Sequence, residues 1–395
     1  MNNLILRNAI ILALTISSLY SQQKRVMWKE LIDKKGVKYV YGSKKPFSGR
    51  VFDNYKNKGR KLTGELKNGK MHGNWTFWNE DGKTDREESY LLDQKNGEWT
   101  YYDDRGNKKK SERYIKGKKT GSVSYYHANG NKSKEEIYIN DKREGKWTAW
   151  YSNSKKEKEE FYKKGKKVGK WNYFNEDGKK ESVISYKNDF KDGKSIYYFE
   201  TNGNKNREES WKRGVENGLW VWLDQKRQKV KEGSYRAGQK HGLWMSFNDA
   251  GKKIEDSRWK DGELFGKTTL WNGDGTKTTM KSFKSDEKDG LWVWWGPKGQ
   301  KIKEGNYKLG KKNGTWTYYY GNGSKKRIEN YAKDKKHGKL IKWFENGQKS
   351  QEEVYKNDKK NGKFIYWFEN GKLEKEEKYS NDVQTDGKHY DYFDN

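Results

Sequence analysis

The chain has 395 residues, and its 87 Lys and Arg exceed its 56 Asp and Glu to give a formal net charge of +31. Hydrophobic residues make up only 30% of it, but 19 Trp, 28 Tyr and 14 Phe are present, so the core is predicted to be aromatic instead of aliphatic. The absence of Cys excludes disulfides, Cys-ligated zinc, iron–sulfur clusters, a thiol nucleophile and an acylated lipoprotein anchor.

Residues 1–21 are typical of a secretory signal peptide. Arg7 precedes an apolar run from Ala9 to Leu19, and a small residue, Ser21, follows it. The run is shorter than the roughly 20 apolar residues of a membrane span, and no later segment is apolar enough to form one. We predict cleavage before Gln22 and export to the periplasm or cell envelope of a bacterium. The alternative is an uncleaved N-terminal anchor.

After a leader at residues 22–48, a 24-residue period organises the chain. Fifteen glycines, called anchor glycines below, mark the period with steps of 24 residues and two steps of 25: Gly49, Gly73, Gly97, Gly121, Gly145, Gly169, Gly193, Gly218, Gly242, Gly266, Gly290, Gly314, Gly338, Gly362 and Gly387. Such a period is the signature of a repeat array. Residues 49–395 are therefore predicted to be a single array domain of about fifteen repeats.

Aromatic residues recur at fixed distances from the anchors. Trp stands two residues after the anchor in eight repeats, a large apolar residue usually stands five after it, and Tyr, Trp or Phe usually stands seventeen after it. Turn sequences such as Asp81-Gly82 and Asn188-Asp189 separate these runs. The pattern predicts one β-hairpin per repeat and hence an all-β, elongated antiparallel β-meander. Only the stretch from Trp28 to Asp33 is compatible with a short helix.

Several segments resemble a known repeat. Gly145-Lys146-Trp147, His241-Gly242-Leu243-Trp244 and Glu352-Glu353-Val354-Tyr355-Lys356-Asn357 are similar to the MORN repeat (membrane occupation and recognition nexus), in the bacterial variant of the YwqK-type antitoxin family. The segments Tyr39-Val40-Tyr41 and Pro46-Phe47-Ser48-Gly49 resemble that family's entry segment. The resemblance implies a scaffold or binding surface and, through relatives encoded beside toxins, an antitoxin. The signal peptide departs from the pattern of a cytosolic antitoxin.

The sequence contains no pattern that indicates catalysis. His72, His241 and His337 share one repeat position, and the strand spacing of ~4.8 Å places them roughly 67 and 38 Å apart, too far to hold one metal. Acidic pairs such as Glu87-Glu88 also recur at one repeat position, which favours pairing with Lys across strands over acid–base catalysis. We expect no enzyme activity, no cofactor and no metal site.

Charge and aromatic content each have two interpretations. The basic charge forms either a solvated surface with interleaved acidic residues or a face that binds anions, and export favours lipid headgroups or glycans over nucleic acid. The aromatic rows form either a packed core or an exposed trough for sugars or peptides. We predict a non-enzymatic scaffold that binds a protein or an anionic envelope component, with an immunity protein that neutralises a toxin as the alternative. Open sheet edges would also permit self-association.

The repeats around Gly266 and Gly290 depart from the consensus. Thr268 replaces the usual Trp, and Thr278-Thr279-Met280-Lys281 replaces the Glu pair. An aromatic cluster in these repeats and the next is predicted to form a continuous partner-binding platform, and a well-packed central core is the alternative. Its residues are Trp271, Trp292, Trp294, Trp295, Trp316, Tyr318 and Tyr319.

The array prediction has a direct test in solution. Circular dichroism should show strand with little helix, and X-ray scattering should show a particle longer than about 100 Å, because two strands per repeat at ~4.8 Å spacing extend the sheet. A compact scattering profile would contradict an elongated array.

Overall fold

The computed structural model describes residues 24–391, which are almost entirely β. The all-β prediction is therefore confirmed, whereas the predicted signal peptide lies outside the described residues. The chain divides into two compact units, Met1–Phe190 and Lys191–Asn395. Within residues 24–391, none of the helical structure is long or apolar enough to span a membrane. The prediction of a single array domain stays a prediction.

The first unit holds eighteen strands and one 3-10 helix, Trp28–Glu30, among its described residues. The helix falls where the sequence was compatible with one. The strands are β1 Arg25–Met27, β2 Leu31–Lys34, β3 Val37–Val40, β4 Gly49–Asn54, β5 Arg60–Lys67, β6 Lys70–Trp78, β7 Thr84–Leu91, β8 Gln94–Lys95, β9 Gly97–Tyr102, β10 Lys108–Ile115, β11 Lys118–Lys119, β12 Gly121–Tyr126, β13 Lys132–Ile139, β14 Lys142–Arg143, β15 Gly145–Trp150, β16 Lys156–Lys163, β17 Lys166–Phe174 and β18 Lys180–Lys187.

The second unit contains the remaining strands, the first of which begins at Phe190. They are β19 Phe190–Tyr198, β20 Lys205–Lys212, β21 Val215–Glu216, β22 Gly218–Leu223, β23 Lys229–Arg236, β24 Gln239–Phe247, β25 Lys253–Lys260, β26 Glu263–Trp271, β27 Lys277–Lys284, β28 Glu287–Lys288, β29 Gly290–Trp295, β30 Lys301–Lys308, β31 Lys311–Tyr319, β32 Lys325–Ala332, β33 Lys335–Lys336, β34 Gly338–Trp343, β35 Lys349–Lys356, β36 Lys359–Lys360, β37 Gly362–Trp367, β38 Leu373–Ser380 and β39 Val383–His389.

Within each unit, the strands of the repeats pair antiparallel with their neighbours in the chain, as in β16 with β17 and β30 with β31. The predicted meander is thereby confirmed. The leader adds a parallel strand, because β1 pairs with β4, and β2 and β3 form a hairpin of their own. Trp28 of the leader meets Trp75 edge to face at 5.4 Å, and buried Phe47 joins the same cluster, so the leader covers the start of the array.

Two kinds of turn alternate along the chain. In the first, Asn79 accepts a hydrogen bond from the Gly82 amide through its carbonyl and one from the Lys83 amide through its side chain, and Gly82 has φ +79°. In the second, Asn188 and Asp189 both have positive φ, as a type I′ hairpin turn requires. The Asp189 carboxylate also accepts a hydrogen bond from the Lys167 amide at 2.9 Å. Side chains in the second turn therefore connect one repeat to the one before it.

A bulge at most of the anchor glycines positions the residue two after the anchor, which is tryptophan in eight repeats. At Gly145, φ is +67°, and the strand gains two residues relative to β13. The Ile137 carbonyl opposite the bulge accepts two hydrogen bonds, from the Glu144 amide at 2.9 Å and from Trp147 Nε1 at 3.0 Å. A carbonyl oxygen has two lone pairs, so both bonds form together. The same bond fixes the orientation of six further indoles, those of Trp99, Trp171, Trp220, Trp244, Trp292 and Trp316. Trp75 Nε1 has no hydrogen-bond partner among the described residues.

The core is a row of side chains two residues after the anchors. Trp147 is 3% exposed, and its ring lies 5.2 Å from Tyr138 and 4.8 Å from Tyr162. Because these tyrosines stand seventeen residues after successive anchors, Trp147 is covered by rings of its own and the preceding repeat. The buried residues of this row are Val51, Trp75, Trp99, Val123, Trp147, Trp171, Ser195, Trp220, Trp244, Thr268, Trp292, Trp316, Leu340 and Phe364.

The substitution Trp147→Ala should destabilise the first unit by about 3–5 kcal/mol, since it removes a buried indole and its hydrogen bond. Hydrogen exchange of β13 to β16 and thermal melting would measure the loss. Ile139→Ala is the control, because Ile139 is 52% exposed, and its effect should stay within about 0.5 kcal/mol. Equal effects of the two substitutions would contradict the assignment of the core.

Candidate functional site

Neighbouring residues of a strand point to opposite faces of a sheet, so the pairing register shows which side chains share a face. In β29, Trp292 pairs with Gly305, and Trp294 stands two residues further on, whereas Val293 between them pairs with Glu304. We call the face that carries Trp292 the core face, because the buried residues two after each anchor lie on it. The opposite face is called the reverse face.

The seven predicted partner-binding residues do not form one platform, because the two faces divide them. Trp294 and Trp295 are adjacent in β29 and therefore point in opposite directions. The core face carries four of the seven: Trp292, Trp294, Trp316 and Tyr318. The reverse face carries the other three: Trp271, Trp295 and Tyr319.

On the core face, only part of the cluster is accessible. Trp292 and Trp316 are 7% and 1% exposed and belong to the core, as the alternative interpretation held for them. Trp294 and Tyr318 are partly exposed. Trp294 lies between the two buried rings, 5.7 Å from Trp292 and 5.8 Å from Trp316. The accessible aromatic surface here is thus a layer above the core.

On the reverse face, the candidate rings are partly exposed and stand beside charged groups. Lys253 Nζ lies 4.3 Å from the ring centre of Trp271, and Lys277 Nζ lies 5.9 Å from that of Trp295. The Tyr319 hydroxyl donates to Glu304 Oε1 at 2.5 Å. Burial and this hydrogen bond raise the pKa of Tyr319 to about 12. Each ring is therefore held by an electrostatic contact as well as by packing.

A surface hollow of about 480 Å³ opens beside Tyr318 and Tyr319. Arg327 stacks over Tyr318 at 4.2 Å, and Lys326 lies 5.3 Å from the ring centre of Tyr320. The Tyr320 hydroxyl donates to the Trp343 carbonyl at 2.7 Å, which holds the wall of the hollow in place. The hollow is lined by Ile302, Tyr318, Tyr319, Tyr320, Lys326, Arg327, Lys342, Trp343, Phe344 and Ser350.

Each acidic pair of the repeat divides between the faces. Glu159 on the reverse face pairs with Lys146 at 2.6 Å across the strands and with Lys156 at 2.8 Å, while Glu160 on the core face pairs with Lys158 at 3.1 Å. The predicted pairing with lysine across strands is confirmed for Glu159, whereas Glu160 pairs with a lysine of its own strand. Their division between the faces follows from strand geometry, because adjacent residues point apart.

Buried glutamates of the core face are held by groups that the sequence analysis did not single out. Glu112 is 4% exposed, forms ion pairs with Lys110 at 2.8 Å and Lys119 at 3.1 Å, and accepts a hydrogen bond from the Tyr114 hydroxyl at 2.9 Å. Burial acts to raise the pKa of Glu112, but these three donors outweigh it and hold the pKa below its ordinary value. The three side chains at Lys110, Glu112 and Tyr114 stand at every second residue of β10. This period of two places them on one face of the sheet and could have identified them from the sequence.

Three of the five histidines contact residues of neighbouring repeats. His241 Nδ1 lies 3.4 Å from Asp261, and His337 Nδ1 lies 3.3 Å from Asn357. His127 Nε2 lies 2.8 Å from the Trp150 carbonyl. Across residues 24–391, no group of three or more His, Asp or Glu side chains is arranged to hold a metal ion.

Seven segments match a family described as the MORN repeat variant, and several coincide with the hairpins described above. The matched residues are 71–91, 143–164, 167–188, 288–309, 312–333, 336–357 and 360–381. These matches show MORN-variant repeats at seven positions, and the predicted number of about fifteen stays a prediction. No curated protein matches the chain.

Solved structures of low identity were also found. "Crystal Structure of TcdB2-TccC3-Cdc42" is 8% identical, with a TM-score of 0.16, over 85% of this chain and 24% of that one. A Tc holotoxin pore of Photorhabdus luminescens is 10% identical, also with a TM-score of 0.16, over 87% of this chain and 21% of that one. This chain thus spans about a quarter of their length or less, and TM-scores this low have no bearing on its function.

Acid should destabilise the protein through these carboxylates. The folded pKa of Glu112 lies below its ordinary value of 4.5, so its contribution to stability is present above pH 4.5 and is lost as the pH falls through the folded pKa. Melting temperatures measured from pH 7 to pH 3 should stay level down to about pH 5 and then fall. Glu112→Gln should weaken this acid dependence. A melting temperature that is constant down to pH 3 would contradict the role of the buried carboxylates.

Proposed function

We propose that this protein is a non-enzymatic scaffold that binds a protein or an anionic envelope component through partly exposed aromatic rings flanked by cations. The hollow beside Tyr318 and Tyr319 is the observation that carries the proposal. It combines a concave shape with aromatic walls and the cationic groups of Lys326, Arg327 and Lys342. Sites of this kind accept extended or flat ligand groups by stacking and orient them by charge.

The chemistry of the hollow favours recognition over turnover. Its lining provides aromatic rings and cations, and Ser350 is its small hydroxyl side chain. His127, His241 and His337, which would be candidates for general bases, contact a carbonyl or turn residues of adjacent repeats. These contacts hold repeat to repeat, which is the role that a scaffold needs from them.

The compartment is part of the same proposal. A cleaved signal peptide at residues 1–21 would deliver the scaffold to the periplasm or envelope, where anionic headgroups and glycans are available. The alternative function is an immunity protein that neutralises a partner toxin, and the resemblance of the repeats to the YwqK-type antitoxin family favours it. Tight one-to-one binding to a toxin would distinguish the alternative from a scaffold.

The test is recovery of a partner from envelope extract with the mature protein as bait. Its N-terminus in the envelope fraction should be Gln22, and the substitutions Tyr319→Ala and Trp343→Ala together should reduce partner recovery about tenfold or more, since about 1.4 kcal/mol of lost contact gives that factor. Binding should be measured by quantitative mass spectrometry.

The matched control is the pair Tyr102→Ala and Tyr126→Ala, which occupy the same repeat positions in the first unit. Tyr102 also makes the corresponding hydrogen bond, to Glu87 at 2.9 Å. Both pairs should lower the melting temperature by similar amounts, but only the first should reduce recovery. Equal recovery with both pairs, or recovery of the protein solely from the cytoplasm, would overturn the proposal.

A further inference from the structure

Glu112 defines a site that recurs on the core face. This glutamate stands fifteen residues after its anchor, and its carboxylate lies between the ammonium groups of Lys110 and Lys119, with the Tyr114 hydroxyl as a third donor. Counted from the anchor, the two lysines stand at positions thirteen and twenty-two and the tyrosine at position seventeen. The same repeat position holds a buried glutamate in several other repeats: Glu88, Glu136, Glu160, Glu329 and Glu353.

Two repeats of the second unit keep the donors and lack the carboxylate. In the repeat of Gly290, Lys303, Lys312 and Tyr307 occupy the three donor positions, but Gly305 stands where the glutamate would be. The Tyr307 hydroxyl forms no hydrogen bond to any described residue. The repeat of Gly218 has the same composition, with Gly233 at the glutamate position and these donors: Lys231, Lys240 and Tyr235.

A third repeat, which lies between these two in the chain, has a positively charged residue at the glutamate position. Lys281 itself occupies the glutamate position after Gly266, and its ammonium group lies 5.6 Å from the ring centre of Trp292. Lys288 approaches the same ring at 5.2 Å. The core face of the second unit therefore carries three pairs of lysines without the central carboxylate.

The ammonium groups of these lysines lie over tryptophan rings instead of beside carboxylates. Lys303 lies 4.4 Å from the ring centre of Trp294, and Lys312 lies 4.6 Å from that of Trp316. At the other glycine, Lys231 and Lys240 approach the single ring of Trp244 at 5.4 and 4.9 Å. Within residues 24–391, none of the six lysines forms an ion pair, so their charges are free to meet an external anion.

The mutual repulsion of the lysines is visible at Lys240. Burial and then the nearby charge of Lys231 lower the pKa of Lys240, and Glu255 opposes the shift without reaching ion-pair distance. An anion between the two ammonium groups would relieve both the repulsion and part of the desolvation cost.

Glycine prevents the chain from supplying this anion itself. A Cβ atom on Gly305 would lie 2.2 Å from Trp316 Cδ2, because the Trp316 ring covers the glycine. The residue in the place of Trp316 is Val123 at Glu112 but Trp171 at the buried Glu160. The position of the Trp316 ring over Gly305, and not tryptophan as such, therefore leaves no room for a side chain there. In the second unit, the ring thus forms a floor below the lysines, and a carboxylate has to enter from outside.

We propose that the core face between Lys231 and Lys312 binds the carboxylates of an acidic segment of a partner protein. The proposal rests on the binding function above and names the class of partner. A protein carboxylate is favoured over a phosphate because the equivalent donors at Glu112 hold a glutamate in the same fold. Six strand spacings of ~4.8 Å separate Gly233 from Gly305 by roughly 29 Å, which an extended segment of about nine residues spans.

The probe for this proposal is a labelled glutamate homopeptide of about twelve residues, long enough at ~3.3 Å per residue to reach both glycine positions. Fluorescence anisotropy with the full chain should show binding that weakens as salt rises. Lys303→Gln with Lys312→Gln should raise the Kd about tenfold, the effect of losing ~1.4 kcal/mol of charge-assisted contact. The matched control is Lys308→Gln with Lys311→Gln, which removes the same charge from exposed positions of the same strands.

A second variant supplies the missing carboxylate from the chain. Gly305→Glu with Trp316→Val reproduces the combination of Glu112 and Val123, so it should fill the site and also raise the Kd for the peptide. Circular dichroism would show whether this second variant folds. If it does not fold, the Kd of Lys303→Gln with Lys312→Gln alone tests the proposal. An equal rise in Kd for the control pair would show attraction by net charge alone and overturn the proposal.

Other ligand classes separate this inference from the proposed function. Binding of vesicles with phosphate headgroups that is tighter than binding of the peptide, and equally sensitive to Lys303→Gln with Lys312→Gln, would overturn the choice of a protein carboxylate. Absence of peptide binding, with envelope partner recovery still dependent on Tyr319 and Trp343, would refute the inference and leave the proposed function standing. Absence of both would refute both.

Discussion

Seven repeats share a hydrogen bond from a tryptophan Nε1 to the carbonyl opposite the anchor bulge, and the packing of their core depends on it. At Gly145, the bulge brings Trp147 over the strand, and the Ile137 carbonyl fixes its ring by accepting from Nε1. Tyr138 and Tyr162 then pack against the fixed ring from both sides. Because Trp147 is covered by rings from two repeats, its burial comes from neighbours along the array.

Charged side chains complete the packing of the core face. Aliphatic side chains are scarce, so lysine and arginine cover the rings and buried glutamates balance the cations. Arg143 lies 4.6 Å from the ring centre of Trp147 and 5.0 Å from that of Tyr162, and Glu160 accepts a hydrogen bond from the Tyr162 hydroxyl at 3.0 Å. A buried charge is tolerated only when its partners are in place, which links the residues at these positions to one another.

This dependence of glutamates and cations on one another explains why the repeats of the second unit that lack the glutamate are informative. A repeat that loses its buried glutamate would ordinarily lose the neighbouring cations as well, since they would repel one another. Lys303 and Lys312 remain beside Gly305, and Trp316 occupies the space of the missing side chain. Retained donors without their acceptor are the physical basis for placing an external carboxylate there, next to the hollow at Tyr318.

The sequence by itself determined the repeat period, the paired hairpin turns, the tryptophan core and the pairing of glutamates with lysines, because each depends on residue type at a fixed local spacing. The sequence did not show that the seven residues of the candidate platform divide between two faces of the sheet. Trp294 and Trp295 are neighbours in sequence, and adjacent strand residues point to opposite faces. Irregularities of register between Gly305 and Tyr307, and between Trp294 and Trp295, also shift the pairing within one repeat. Only the tertiary structure decided which rings share a face, which glutamate of each pair is buried and which lysines lack a carboxylate, since all three depend on contacts between strands.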